Sequence, residues 1–247
     1  MFCMWIPRRS DLVLALALFV APAQAAPLIV LAPASATAGL QALAAPYTAS
    51  TGIAVTIGGG SRAQVLGTLK AGPADVVMLP TADLSELPNV AGMIPVGRIT
   101  VGVAVKAGTK APDISTPEKF RAALLAAKGV AYADPAAGTS AGKVIDSMLS
   151  MPEFKNVKRV PVQGLAVTAL ANGSATIALQ MLPELAANKD VTVAGAVPAS
   201  YGAEVDFSAG IAAVTTNAER AEAFISYLCD PKNAAVWRQN GLDPLFH

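Results

Sequence analysis

Only two cysteines occur in the 247 residues, Cys3 and Cys229, and only one histidine, His247. A histidine confined to the last position leaves a Ser–His–Asp or Cys–His arrangement without a base, and it denies a zinc site its usual ligands. Aromatic residues make up 5%, and 18 basic side chains meet 17 acidic ones. Such a balance leaves no electrostatic footprint for nucleic acid or an anionic membrane. No apolar run reaches the roughly 20 residues that a spanning helix needs, so no stable membrane insertion is expected.

What is present begins with an export pattern. Arg8-Arg9, the apolar stretch Leu12 to Val20 and the small-residue site Ala23-Gln-Ala25 read as a secretory signal over 1–25, cleaved after Ala25, with the periplasm as destination. Cleavage removes two of the 18 basic and one of the 17 acidic residues, leaving 16 of each. It also removes Cys3. Cys229 then stands alone on an apolar helical face, where it reads as a buried thiol with no disulfide partner.

Strand patterns alternate with helix patterns through most of the mature chain, which argues for α/β architecture with largely parallel sheets. Leu40, Leu43, Ala44 and Tyr47 recur at helical spacing, although Pro46 interrupts them. Ser115-Thr-Pro-Glu118 predicts a helix opened by a capping box, and Asp230, Pro231 and Gly241 bound another near the end. Long strands near 99–105 and 205–214 bracket the middle of the chain, as two crossings between lobes would.

Three strand-to-helix turns carry the functional reading. They are Pro33-Ala-Ser35 after Leu28–Ala32, Gly58-Gly-Gly-Ser-Arg62 after Ala54–Ile57, and Asp134-Pro-Ala-Ala-Gly-Thr-Ser140 after Val130–Ala133. Each presents free backbone N–H groups and a hydroxyl at the positive end of a helix dipole, an arrangement suited to a small anion. Any one of Ser35, Ser61, Thr139 and Ser140 alone reads as a simple helix N-cap, whereas three such turns after strands point to a cleft. Gly138-Thr-Ser-Ala-Gly-Lys-Val144 imitates a phosphate-binding loop, but the spacing is one residue short and Val144 replaces the hydroxyl that would hold magnesium.

Ala32-Pro-Ala-Ser35, Thr51-Gly-Ile-Ala-Val55, Gly60-Ser-Arg62, Ala71-Gly-Pro-Ala-Asp75 and the closing Ala234 to Leu242 together resemble the periplasmic molybdate-binding proteins and their relatives. The resemblance implies a type II periplasmic-binding fold: two α/β lobes joined by two crossover strands, with 26–98 plus 206–247 as lobe 1 and 99–205 as lobe 2. It implies a monomer that holds a small anionic solute between the lobes and delivers it to an ABC-type permease, without cofactor or metal. By the same resemblance the ligand contacts fall on Ser35, Ser61, Gly138, Thr139, Ser140, Gln163 and Gln180. A tyrosine of the molybdate binders is replaced by Gln180 or Met181.

Pro112-Asp-Ile-Ser-Thr-Pro-Glu118, Ala123-Leu-Leu-Ala-Ala-Lys128 and Phe207-Ser-Ala-Gly210 are similar to a branch of this family that includes aconitate isomerase. That branch implies a polycarboxylate as ligand and allylic proton transfer as an alternative activity. Arg62 would then grip a carboxylate bidentately. Arg98 and Lys143 would add charge, and Lys143, Tyr132 and Asp134 would be the candidate bases.

Overall fold

The computed structural model describes residues 26–247, and the expected signal segment lies outside the described residues. In chain order the main elements are β1 (Leu28–Pro33), α1 (Ala34–Thr51), β2 (Val55–Gly60), α2 (Arg62–Ala71), β3 (Val76–Pro80), α3 (Thr81–Ser85), β4 (Val90–Lys106), α4 (Pro117–Ala126), β5 (Val130–Ala133) and α5 (Ser140–Leu149). They continue as β6 (Arg159–Val162), α6 (Thr168–Ala171), β7 (Ile177–Met181), α7 (Leu182–Ala186), β8 (Val191–Ala196), β9 (Glu204–Ala212), α8 (Ala218–Leu228), α9 (Ala234–Gln239) and the short β10 (Asp243–Pro244).

Strand pairing makes two α/β lobes. The strands follow the order β2-β1-β3-β9-β4-β7-β5-β6. At one end β1 pairs in parallel with β2 and β3, and at the other β5 pairs in parallel with β6 and β7. Between them β4 and β9 run antiparallel. Val90 to Thr100 of β4 pair with β9, whereas Val101 to Lys106 pair with β7 and β8, so one strand belongs to both sheets. The strand is longer than the predicted 99–105. Its first residues include Gly92 and Pro95 and lack a sustained apolar run, so pairing with β9 rather than hydrophobicity makes them a strand.

Three apolar clusters hold the lobes. The largest runs continuously beneath both, from Leu40, Tyr47, Phe224 and Trp237 to Phe120, Phe154 and Ile177. Burying each large side chain of this kind contributes about 1.5–3 kcal/mol. Smaller clusters cover the opposite faces, around Val65, Leu69 and Leu84 in one lobe and around Ala169, Leu170 and Leu185 in the other. Asp75, 5% exposed, ties the first lobe together. It accepts from the Ile29 N–H at 2.7 Å and from the Thr215 hydroxyl, linking β1 to the turn after β9.

Local details refine the sequence reading. Pro46 lies inside α1 rather than ending it, and the helix closes at Gly52, whose φ of 73° is the left-handed conformation glycine tolerates. Helix α4 is capped by Thr116, not Ser115: the Thr116 hydroxyl accepts from the Lys119 N–H at 3.3 Å and Pro117 occupies the first turn. Ser115 instead accepts from the Lys119 ammonium, so no capping box forms there. Cys229 is partly buried, and desolvation pushes its thiol up to about 11.

Candidate functional site

The helices α1 and α2 begin where a strand ends, α5 follows β5 after a short 3-10 turn, and first-turn residues of all three line one cavity of about 170 Å³. This is below the roughly 300–1,000 Å³ of pockets for drug-sized ligands, and so suits a small solute. Gly59 helps to bring the first two helices together. Its φ of 136° and a Cβ position only 2.0 Å from the Ala32 carbonyl oxygen exclude a side chain, which lets the ends of β1 and β2 lie side by side.

The three helix starts differ in how they use their hydroxyls. Pro33 is the N-cap of α1 and offers no side-chain cap, so Ser35, buried in the first turn, is not an N-cap. It lines the cavity together with Pro33. At α2, Ser61 Oγ accepts from the Gln64 N–H at 3.3 Å while Gln64 Oε1 accepts from the Ser61 N–H at 2.7 Å, a complete capping box. At α5, Thr139 Oγ1 accepts from the Gly142 N–H at 3.1 Å, and Ser140 is the first helical residue. A hydroxyl that accepts one capping bond keeps its proton free to donate. Capping and ligand contact are therefore compatible at Ser61 and Thr139.

The charged residues are fewer and closer than the sequence suggests. Arg62 Nε lies 3.2 Å from Asp83 Oδ2, without the alignment of a hydrogen bond, and both atoms are buried with no hydrogen-bond partner. Arg62 Nη2 lies 3.8 Å from Glu86. On the other side of the cavity Gln180 Oε1 accepts from the Ala166 N–H at 3.0 Å, and its Nε2 donates to Glu184 Oε2 at 2.7 Å. Burial pushes the Glu184 carboxyl above the usual carboxylate range, partly opposed by the bond from Gln180. Among the described residues no group of three or more His, Cys, Asp or Glu could hold a metal.

Of the residues singled out from the sequence, Ser35, Ser61, Arg62, Thr139, Ser140 and Gln180 line this cavity. Gly138 and Gln163 do not. Gly138 closes a short 3-10 turn with its N–H donated to the Pro135 carbonyl, and exposed Gln163 donates to Asp134 at 2.8 Å. The following residues, Gly164 to Ala166, reach the cavity instead. Asp134 is thus occupied by Gln163 and by the Ala136 N–H. Tyr132 donates to Asp146 at 2.7 Å beneath α5, and burial together with Asp146 pushes its phenol up to about 12.

Lys143 and Arg98 line a second, open depression of about 520 Å³ that shares Pro80, Ser140 and Val205 with the first. There Arg98 is held bidentately by Asp206, at 2.6 and 3.1 Å, and by Glu204 at 3.2 Å. Asp83 and Glu184 escaped the sequence reading. Each is the one acid of a short helix, and the pairing of β3 with β9 and of β7 with β4, just ahead of those helices, brings them to one cavity.

This architecture, two α/β lobes around a small cleft, defines the class, and the chain belongs to the bacterial extracellular solute-binding protein family, whose model matches residues 28–243. One curated relative is the aconitate isomerase of a Pseudomonas species, 26% identical over 180 residues that cover 70% of this chain and 68% of that protein. The periplasmic molybdate-binding protein of Azotobacter vinelandii has a similar fold, with a TM-score of 0.60 at 22% identity over 87% of this chain and 98% of that one. So has the sulfate-binding protein of Mycobacterium tuberculosis, with a TM-score of 0.65 at 17% identity over 88% and 86%. Peb3 from Campylobacter jejuni reaches 0.64 at 16% identity over 87% and 99%.

Proposed function

We propose that this is a secreted solute-binding protein that holds a small anion, an oxyanion or a di- or tricarboxylate, in the cavity between its lobes. The observation that carries the reading is the convergence of three helix N-termini, α1, α2 and α5, on one small cavity. Capping leaves the amides of Arg62 and Ala63 on α2, and of Ser140 and Ala141 on α5, outside the local bonds. In this reading 1–25 is a cleaved export signal, 26–98 plus 206–247 and 99–205 are the lobes, and an ABC-type permease receives the solute from the periplasmic protein. Arg62 supplies a cation whose charge is largely answered by Asp83 until a ligand competes for it.

The test is a thermal-shift panel on the mature chain with tetrahedral oxyanions, dicarboxylates and tricarboxylates, beside sugars and cationic solutes. Stabilisation by one of the anion classes is the expected result. Stabilisation by sugars or cations alone would remove the anion reading.

A second reading is favoured by one relative and one side chain: the similarity to an aconitate isomerase, and the carboxyl of Glu184 in the cavity wall, a group able to exchange a proton. In this reading the protein interconverts trans- and cis-aconitate by allylic proton transfer. Proton NMR of trans-aconitate in deuterated buffer reads both isomer ratio and deuterium uptake. Isomerisation without added metal or nucleotide, depressed in Arg62→Ala, is expected of the enzyme, whereas a receptor binds the acid unchanged.

A further inference from the structure

An anion site built on helix N-termini has no need of a carboxyl group, yet Glu184 lines this one. We propose that Glu184 meets the ligand as a protonated carboxyl, donating its hydrogen to an anion oxygen, so that it selects ligands by proton-coupled capture. The proposal rests on the anion-binding reading above.

The hydrogen bonds around Glu184 set which oxygen is available. Gln180 Oε1 is held by the Ala166 N–H at 3.0 Å, which leaves the amide's N–H groups directed to Glu184, and Nε2 donates to Oε2 at 2.7 Å. Oε2 is therefore an acceptor in either protonation state, and the proton belongs on Oε1. A Gln180 turned the other way would lose the Ala166 bond and orphan a buried amide.

The surroundings offer an ionised Glu184 little else. Its helix, α7, packs against β4, α1, β8 and β7. Glu184 is the only charged residue of α7, and α1, β7 and β8 carry none. Of the two charges on β4, Arg98 is held by Asp206 and Glu204, and Lys106 is exposed at the strand end. Across the cavity Arg62 is already opposed by Asp83 and Glu86. With Glu184 protonated, Arg62 and Asp83 cancel and the helix dipoles set the local field; with Glu184 ionised, the wall is net negative before any anion arrives. Burial raises the carboxyl in the free protein, and a bound anion disfavours its ionised form further.

The test is calorimetric titration of the mature chain with sulfate and with trans-aconitate between pH 6.5 and 9, where the acids themselves stay ionised. Affinity should fall as pH rises, by up to about tenfold per pH unit above the carboxyl's pKa. Glu184→Gln keeps a donor and should bind with pH-independent affinity. A flat wild-type profile, or an unchanged slope in Glu184→Gln, would overturn the proposal. Should that variant not fold, infrared difference spectra of 13C-labelled wild-type protein at pH 8 decide the matter. A protonated-carboxyl band that appears or shifts on adding trans-aconitate supports the proposal, and no such change defeats it. Wild-type protein that binds neither anion at any pH would instead remove the anion reading on which the proposal stands.

Discussion

At Ser61 the capping role and the proposed anion contact of one hydroxyl can be separated by substitution. Ser61→Ala removes the cap of α2 and the cavity hydroxyl together, and should cost about 1 kcal/mol of stability along with anion affinity. Ser61→Gly should cost only a few tenths of a kcal/mol in capping yet lose the same affinity. Equal affinity in wild type and Ser61→Gly, measured by calorimetry, would confine Ser61 to capping. Glu184 gives a second residue-scale expectation, in unfolding free energy without ligand. Its folded-state pKa is raised, so the native state binds a proton more tightly than the unfolded chain does, and stability declines as pH rises above the ordinary glutamate value through the folded one. Denaturant titrations of Glu184→Gln should lack this decline, with the variant gaining on wild type as pH rises above the ordinary glutamate value.

Among the elements, α1 shows how packing overrides propensity. Gly39 in the middle of this helix faces Trp237 so closely that an added Cβ would lie 2.5 Å from the indole. An alanine there would ordinarily favour the helix by about 1 kcal/mol. Here it must displace a fully buried tryptophan whose Nε1–H donates to the Leu228 carbonyl at 2.9 Å, so Gly39→Ala should destabilise by about 1–3 kcal/mol. A higher melting temperature for the variant would contradict this packing. The same scale shows what the sequence made legible. Apolar spacing located α8, whose Ala221, Phe224, Ile225 and Leu228 are all buried, because one helical face must meet the core. Nothing comparable marks the first half of β4 or the short β6, which owe their conformation to neighbouring strands.

For the whole molecule, a ligand held between the lobes is linked to folding. At 100 times its dissociation constant, an anion bound only by the native state adds about 2.7 kcal/mol. For a chain of this size the melting midpoint should rise by roughly 5–11 °C, read by differential scanning fluorimetry. Ser35, Ser61, Thr139 and Ser140 could be found from sequence because each lies within a few residues of a strand end and a helix start, and a strand-to-helix turn is a local event. The amino-acid sequence by itself determined the α/β alternation, the helix starts and the hydroxyls they present. Only the tertiary structure decided that Asp83 answers Arg62, that Gln163 turns to Asp134 while Gln180 turns to Glu184, and that two acids line one cavity with three helix N-termini. The physical reason is range: caps and turns close over three or four residues, whereas the cavity is assembled by β4 and β9, whose pairing joins segments more than a hundred residues apart.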